Sequence, residues 1–387
     1  MSLNFDLPEE AVMIRDSVRE FAEEVIKPKA YELDKNEEFS PEITKQMGEL
    51  GLFGFGVPEK YGGNGIGYVP YMVAVEELAR IDSSQAITIA AHNSLGIGPI
   101  YNFGNEEQKK KYLPQLCTGE KLWGLGLTEP EAGSDAGGTK TKAVKDGNEW
   151  VINGSKTFIT NASGPYNLGS TIQAVTGRRP DGKKEYTCFL VENGTKGFEA
   201  RELHDKMVWR ASITSELFLE DCRVPEEKIL GKQGEGFHHM LDTLDRGRLS
   251  IAAMGLGCAQ GAYELGLKYA KERQQFGKSI STFQVNAFKL ADMFVEIEAA
   301  RNLLYKGAWL CDNKRDYKVY ASMAKLYCSE VAHRCVNHAV QLHGGYGMMK
   351  EYDIERFYRD QKVLEIGEGT SEILRLIISR HIGCYKV

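Results

Sequence analysis

The sequence predicts a mainly α-helical protein with a β domain at its centre. Apolar residues recur at helical spacing in the first 120 residues, whereas β-prone runs separated by turn residues fill the middle of the chain. Helical spacing returns from Phe237 in much longer segments. A chain of 387 residues can form two or three packed units. We therefore predict an all-α domain over 1–121, a β domain over 122–232 and a helical bundle over 233–387.

The N-terminal domain is predicted to be a series of helices. The segment from Pro8 to about Asp34 has one apolar and one charged face, which is typical of an amphipathic surface helix. Residues 84–103 are apolar almost all round, so this helix should be buried and its His92 should be a satisfied core residue. Further helices are predicted from Pro41 behind a Ser40 cap to Gly51, over 69–82, and from Asn105, with Gln108 completing its cap.

A glycine-rich stretch, Tyr61–Gly67, invites comparison with a phosphate-binding loop. It lacks the Lys-Ser/Thr ending of such loops, and no strand of suitable length precedes it. We therefore interpret it as a connecting loop.

The middle domain is predicted from short β-prone runs. Residues 150–160 consist of two such runs around Asn153-Gly154, a pair that favours a hairpin turn. Further strands are predicted over 186–191, 198–203 and 214–220, before a glycine-rich stretch at 231–236.

The last domain is predicted to be an antiparallel bundle, because long amphipathic runs with few helix breakers pack in that way. The predicted helices cover 237–272, 282–311 and 316–343, with a shorter one from 370.

Composition excludes several classes of function. The net charge of −6 gives no basic excess for nucleic acid, and no apolar run approaches the ~20 residues that span a bilayer. The N-terminus has no signal-peptide pattern. The eight cysteines are scattered without a CxxC pair, which favours free thiols in a reducing cytoplasm, and the eight histidines show no metal-ligand spacing. We expect no metal, no nucleic acid partner and no membrane span.

The segment that carries the chemistry lies near the C-terminus. Glu368 stands between Gly367 and Gly369, directly before Thr370, which is placed to cap a helix with Glu372 in its first turn. A carboxylate beside an apolar pocket has a raised pKa, which suits a base that removes a proton from carbon. The alternative is a helix-capping loop with a solvated glutamate.

Two further motifs, 341–347 (QLHGGYG) and 128–135 (TEPEAGSD), occur in a fixed order with the Glu368 segment. Together the three motifs resemble the acyl-CoA dehydrogenase family of flavoproteins, and the resemblance covers essentially the whole chain. It implies that the middle domain is a β-barrel and that the last domain is a four-helix bundle. It also implies FAD as cofactor, with Glu368 removing the α-proton of an acyl-CoA thioester and the flavin taking the β-hydrogen as hydride.

The resemblance also implies sets of binding residues. Those expected at FAD, some of them across a subunit boundary, are Leu125, Leu127, Thr128, Gly133, Ser134, Phe158, Thr160, Arg273, Gln275, Phe276, Gln284, Gln341, Gly344, Gly345, Thr370 and Glu372. Those expected at the substrate are Ser134, Asp245, Arg248, Gly367 and Gly369. Two of these assignments have alternatives, because Phe158 could be an aromatic of the barrel core and Gly344-Gly345 could simply end a helix.

Three positions refine the expectation. Some branches of the family carry the base at the position of Gly247, so glycine there leaves Glu368 as the base. Gly367 replaces the usual tyrosine and should leave room beside the reacting carbons, unless a neighbouring side chain fills it. Trp209 replaces a smaller residue, and the sequence offers no physical account of it.

The resemblance predicts a dehydrogenase of a short acyl-CoA that passes electrons to an electron-transferring flavoprotein and assembles as a homotetramer, a dimer of dimers. Branched, dicarboxylic and alicyclic acyl-CoA thioesters such as cyclohexanecarboxyl-CoA are alternative substrates. An acyl-CoA oxidase and a non-catalytic acyl-CoA- or flavin-binding scaffold are alternative functions.

Overall fold

The structure, a computed structural model, describes residues 6–384, and its first part is a helical domain as predicted. Two short π-helical stretches, Ala22–Ile26 and His92–Ile97, continue the helices that precede them. Residues 62–67 form a loop. The helices are α1 (Glu9–Phe21), α2 (Lys27–Asn36), α3 (Pro41–Glu49), α4 (Tyr68–Ala79), α5 (Ser83–Ala91), α6 (Gly98–Phe103) and α7 (Glu106–Cys117).

Local signals set the ends of these helices. The Ser40 hydroxyl accepts a hydrogen bond from the Ile43 N–H at 3.2 Å, and Asn105 and Gln108 form the predicted capping box of α7. Every residue of α5 is buried, as its composition predicts. His92 is a satisfied core residue, since its ring accepts from the Trp123 N–H and bonds the Leu116 carbonyl, and burial lowers its pKa to about 4.

The middle domain is a single mixed sheet around its own apolar core. Its hydrogen-bonded path runs β6-β7-β3-β2-β4-β5-β8, and β1 joins by pairing parallel with β4. The strands are β1 (Leu122–Gly126), β2 (Lys142–Asp146), β3 (Glu149–Thr160), β4 (Asn167–Arg178), β5 (Lys184–Glu192), β6 (Phe198–Glu202), β7 (Thr214–Pro225) and β8 (Ile229–Leu230).

The hairpin predicted at Asn153-Gly154 is wrong. The strand β3 continues through both residues, and the connection between β2 and β3 is at 147–148, where Gly147 has φ +63°. Gly154 instead belongs to a bulge opposite β7, and a Cβ on it would lie 2.4 Å from the Thr141 hydroxyl. The Asn-Gly pair therefore marks a bulge at a close approach between strands.

The last domain is built on a long helix, α8, that packs against α10 and α9 on one side and α4 of the first domain on the other. One apolar core consequently continues through both helical domains. The elements are α8 (Gly236–Glu272), the short strands β9 (Gln274–Gln275) and β10 (Lys278–Ser279), α9 (Gln284–Asp312), α10 (Lys318–His343), α11 (Ile354–Asp360) and α12 (Ser371–His381).

The structure accounts for Trp209. It lies in the loop between β6 and β7 and is buried in the core of the helical domains, so the β domain is anchored there by one large side chain. The backbone N–H of Trp209 donates to Asp360 Oδ1 at 2.9 Å, and the Arg210 guanidinium donates to the Asp34 carbonyl at 3.0 Å. Arg359 completes this junction by an ion pair with Asp34 at 2.7 Å. Across residues 6–384, no helix is long and apolar enough to cross a membrane.

Candidate active site

Glu368 lies in a sharply turned connection immediately before α12. Its φ is +53°, which is uncommon for a residue with a Cβ, and Gly369 follows with φ +107°. The Thr370 hydroxyl then accepts from the Ile373 N–H at 3.3 Å and caps α12, as predicted. Such backbone strain persists where the surrounding structure enforces it, and it frequently accompanies function.

The Glu368 carboxylate points at the backbone of α8. A Cβ built on Gly247 would lie 2.0 Å from Glu368 Oε2 and 2.9 Å from its Cδ. The carboxylate therefore occupies the space that a side chain at position 247 would take. The absence of a side chain at Gly247 therefore makes room for the Glu368 carboxylate.

The environment of this carboxylate raises its pKa to near neutrality. Glu368 as a residue is only partly buried, but its Oε2 is closed to water and has no hydrogen-bond partner within residues 6–384. Burial raises the pKa of Glu368 to about 7, while the charges of Lys325 and Arg248 oppose that shift. A carboxyl group with this pKa is half ionised near neutrality and can both take and return a proton.

The two cations near Glu368 are both buried. The ammonium of Lys325 donates to the Gly369 carbonyl at 2.6 Å, and burial lowers the pKa of Lys325 to about 8. Arg248 donates to Asp245, which also pairs with Lys318 at 3.3 Å. The Arg248 Nε is buried without a partner among the described residues. Sequence reasoning placed Arg248 and Asp245 here but missed Lys325.

The predicted flavin-edge residues of the β domain form a second group. Leu125 and Leu127 are buried in the core, whereas Phe158 is 70% exposed with φ +61°, so it is not a barrel-core aromatic. The Thr157 N–H donates to the Thr128 carbonyl at 3.0 Å and brings Phe158 next to Thr128.

The polar groups of this surface are free to bind a ligand. Ser134 and Gly133 are exposed, and Thr128 and Thr160 are partly exposed. Within residues 6–384, the hydroxyls of Thr128, Ser134 and Thr160 make no hydrogen bond to protein, so the donor set fits a planar, polar-edged ring.

A buried ion pair that the sequence did not suggest supports this surface from below. Lys156 is fully buried, and its ammonium donates to Glu129 at 2.8 Å and to the Leu127 carbonyl at 3.2 Å. Glu129 also accepts from the backbone N–H groups of Lys140 and Thr141. Two strands and one loop are thereby fixed around Thr128.

A third group lines a cavity of about 650 Å³ at the far end of α8. It includes Arg273, Gln275, Gly344 and Gly345, four of the residues predicted at FAD. The Arg273 guanidinium lies 5.8 Å from the centre of the Tyr346 ring. An arginine beside two small residues suits a phosphate-bearing ligand such as the pyrophosphate of FAD.

The remaining predicted residues lie near this cavity, except Glu372, which belongs to α12 beside the Glu368 turn. Phe276 is at the tip of the β9–β10 hairpin and is 92% exposed, and Gln284 is exposed at the first position of α9. The Gln341 carbonyl accepts from the Gly344 N–H at the end of α10, so Gly344, with φ +61°, also ends that helix. Glu372 is exposed on α12.

One chain does not bring all these residues together. Arg273 directly follows α8, and Gly247, which faces Glu368, lies 25 residues before the end of that helix. At 1.5 Å per residue, the Arg273 cavity is roughly 37 Å from Glu368 along the helix axis. The group near Glu368 and the group around Arg273 are therefore separated by most of the length of α8.

Comparison with known proteins decides the family. Residues 8–120, 124–222 and 234–383 match, in that order, the N-terminal, middle and C-terminal domains of acyl-CoA dehydrogenases. The chain belongs to the acyl-CoA dehydrogenase family. It is 50% identical to the probable acyl-CoA dehydrogenase YngJ of Bacillus subtilis, over 98% of this chain and 100% of the relative. It is 42% identical to subunit CarC of the caffeyl-CoA reductase-Etf complex of Acetobacterium woodii, over 96% and 97% of the two chains.

Solved structures of acyl-CoA dehydrogenases share the fold. Butyryl-CoA dehydrogenase from Megasphaera elsdenii superposes with a TM-score of 0.94 at 40% identity, covering 98% of this chain and 100% of the other. The acyl-CoA dehydrogenase of Bacillus anthracis complexed with FAD has a TM-score of 0.90 at 37% identity, covering 97% of this chain and 67% of the other. The three-domain architecture predicted from the sequence is thereby confirmed, and the chain is an oxidoreductase of this family.

Proposed function

We propose that this enzyme dehydrogenates a short acyl-CoA thioester to the 2-enoyl-CoA, with FAD as cofactor and Glu368 as the base. The observation that carries the proposal is the Glu368 carboxylate, enclosed against Gly247 with its pKa raised to about 7. A buried base of that pKa is matched to removing a weakly acidic proton from the carbon next to a thioester. The likeness to butyryl-CoA dehydrogenase supports a short acyl group.

In this proposal Glu368 accepts the proton, and Arg248 and Lys325 act on its ionisation. Glu368 takes the α-proton onto its carboxylate and becomes neutral, a change that its enclosed position favours. Arg248 and Lys325 keep the group ionised beforehand through their positive charges. FAD, when bound, accepts the β-hydrogen together with its two bonding electrons. The balance is one proton to Glu368 and one hydride to the cofactor, which leaves the carbon–carbon double bond.

The two separated groups of cofactor residues support assembly. In the proposal, Thr128, Ser134, Phe158 and Thr160 hold the ring near Glu368 of their own chain. The cavity at Arg273 lies roughly 37 Å away along α8 and binds the cofactor of a neighbouring chain. Each FAD is then completed by two chains, as in a homotetramer built as a dimer of dimers. Sedimentation of FAD-loaded protein as a monomer would contradict this assignment.

The acceptor of the electrons is part of the proposal. The relative in the caffeyl-CoA reductase-Etf complex supports an electron-transferring flavoprotein as partner. An oxidase would instead hand its electrons to oxygen. Reducing the enzyme anaerobically with substrate, then adding either oxygen or an electron-transferring flavoprotein, distinguishes the two by which addition restores the flavin absorbance faster.

The space beside the base favours a second class of acyl group. A Cβ on Gly367 would have only the Val363 carbonyl oxygen at 3.4 Å and Val363 Cγ2 at 4.0 Å as neighbours. A group wider than a straight chain, such as an alicyclic carboxyl-CoA, can use this room. We retain cyclohexanecarboxyl-CoA and branched acyl-CoA thioesters as alternative substrates.

A cytoplasmic location also belongs to the proposal, and it is supported by eight cysteines that are all free.

The test of the proposed function uses purified, FAD-loaded enzyme under anaerobic conditions. Addition of butyryl-CoA or cyclohexanecarboxyl-CoA should bleach the flavin absorbance. Glu368→Gln should retain FAD and bind the thioester, yet lose about 10²–10⁴-fold or more in rate, because the general base is absent. A variant that turns over at the wild-type rate would refute Glu368 as base. A protein that binds thioester without bleaching would be the non-catalytic scaffold.

A further inference from the structure

Of the two described cations that act on Glu368, Arg248 belongs to the predicted site and Lys325 does not. Lys325 lies on α10 and is completely buried, although an ammonium group loses much hydration energy when it leaves water. The only hydrogen bond that its ammonium donates within residues 6–384 goes to the carbonyl of Gly369, at 2.6 Å. The buried ammonium of Lys325 donates to the residue directly after Glu368, which indicates that it stabilises the turn at Glu368 and Gly369.

The segment needs such a restraint. Glu368 and Gly369 both have positive φ, and the carboxylate fits against Gly247 only while this turn is kept. The Ser329 hydroxyl holds the chain further upstream by donating to the Leu364 carbonyl at 2.8 Å. Ser329 and Lys325 are four residues apart on α10, so one face of this helix fixes both ends of the loop that carries the base.

Titratable side chains face Glu368 from three helices. Lys325 faces it from α10 and Arg248 from α8, and both favour the ionised carboxylate. Tyr71 faces it from α4, and the Glu368 charge contributes to raising the pKa of Tyr71. Lys325 itself is also influenced by Arg248, Glu365 and Glu372. Arg248 donates a hydrogen bond to the Asp245 carboxylate. Lys325, by contrast, has no carboxylate hydrogen-bonded to it among the described residues.

We propose that Lys325 is a positioning residue for the base: its ammonium clamps the Gly369 carbonyl, which aims the Glu368 carboxylate at Gly247, and its charge keeps that carboxylate ionised. The inference rests on the proposed function, because it assigns Lys325 a task only if Glu368 is the base. Lys325 does not touch the substrate in this proposal.

Two substitutions separate the clamp from the charge. Lys325→Met removes both the hydrogen bond and the charge, whereas Lys325→Gln removes the charge but retains an amide donor, one atom shorter than the lysine, that can reach the Gly369 carbonyl after a small shift of the turn. Arg334→Met is the matched control, since Arg334 is a cation of the same helix that pairs with Glu296 on α9 at 2.9 Å. Each variant is purified with FAD, and its flavin content and sedimentation are compared with wild type before kinetics.

The pH profile of kcat/KM is the deciding readout. Loss of a neighbouring positive charge raises the pKa of a carboxyl group, so the rise of kcat/KM with pH should move up by about one unit in both Lys325 variants. Lys325→Met should also lose about tenfold or more in kcat on the alkaline plateau, because the carboxylate is no longer aimed. Lys325→Gln should recover part of that plateau through its shorter amide donor, and Arg334→Met should follow the wild-type profile.

The outcomes separate this inference from the proposed function. A folded, FAD-loaded Lys325→Gln with the wild-type pH profile overturns the role of the charge, and a Lys325→Met variant with the wild-type plateau overturns the clamp. If Lys325→Met does not load FAD, the profile of Lys325→Gln decides alone. A wild-type enzyme that does not oxidise any acyl-CoA refutes the proposed function instead, before any Lys325 variant is compared.

Discussion

Replacing Gly247 by alanine should separate stability from activity in this enzyme. The new methyl group would lie 2.0 Å from Glu368 Oε2, whereas ordinary van der Waals contact begins at 3.4 Å. The carboxylate must therefore retreat by about 1.4 Å. The atoms in the way are the end of a flexible side chain, so the helix itself need not move.

The two expected effects have opposite signs. Alanine is favoured over glycine inside a helix by about 0.5–1 kcal/mol, so the free energy of unfolding should stay level or rise. A displacement of about 1 Å at a reacting group can cost about 100-fold in rate, so kcat/KM should fall by at least that factor.

The assay is anaerobic turnover of butyryl-CoA together with thermal unfolding of the FAD-loaded protein. Gly266→Ala is the control, because it makes the same change on α8, where the nearest atom to the new Cβ is Ala339 Cβ at 3.3 Å. That variant should keep wild-type kcat/KM. If Gly247→Ala also keeps it, the carboxylate does not work from the position seen against α8, and the reasoning fails.

Three other predictions concern protonation and pocket shape. Because Glu368 must be ionised to act and burial raises its pKa to about 7, kcat/KM should rise with pH through neutrality and then level off. Burial also raises the pKa of Asp360 to about 7, so the folded protein holds this proton more tightly than the unfolded chain does. Its contribution to stability is present in acid and is lost as pH rises toward 7. Asp360→Asn should therefore flatten the loss of unfolding free energy between about pH 4 and 7, on the order of 4 kcal/mol, in denaturant titrations. Gly367→Tyr should reduce kcat/KM for cyclohexanecarboxyl-CoA more than for butyryl-CoA, and equal effects would show that position 367 does not shape specificity.

Sequence reasoning succeeded where a structural signal is local. The caps at Ser40, Asn105 and Thr370 were predicted because a hydroxyl or amide within three residues of its donor needs no distant partner. The order of helical, β and helical segments was recoverable for the same reason, since periodicity is read within one element. Glu368 was found because its flanking glycines and the following cap lie in one short stretch.

What the sequence missed depends on distant parts of the chain. Strand β4 is rich in small and polar residues and lies in the interior of the sheet, so its identity comes from its neighbours on both sides. The Asn153-Gly154 pair became a bulge because β3 continues to pair with β7. Lys325 resembles any other helix lysine in sequence, and only the packing of α10 on the Gly369 turn identifies it.

The separation of the cofactor groups along α8 has a genetic consequence. In the proposed assembly, Glu368 acts on one FAD, while the Arg273 cavity of the same chain, roughly 37 Å away, binds the FAD of its neighbour. Two chains with different inactivating substitutions can then complement each other. A mixed dimer of Glu368→Gln with a chain damaged at Arg273 would contain one site with both defects and one site with neither. Coexpression of two inactive alleles should then restore turnover that neither supports alone, and the long helix α8 is what makes that possible.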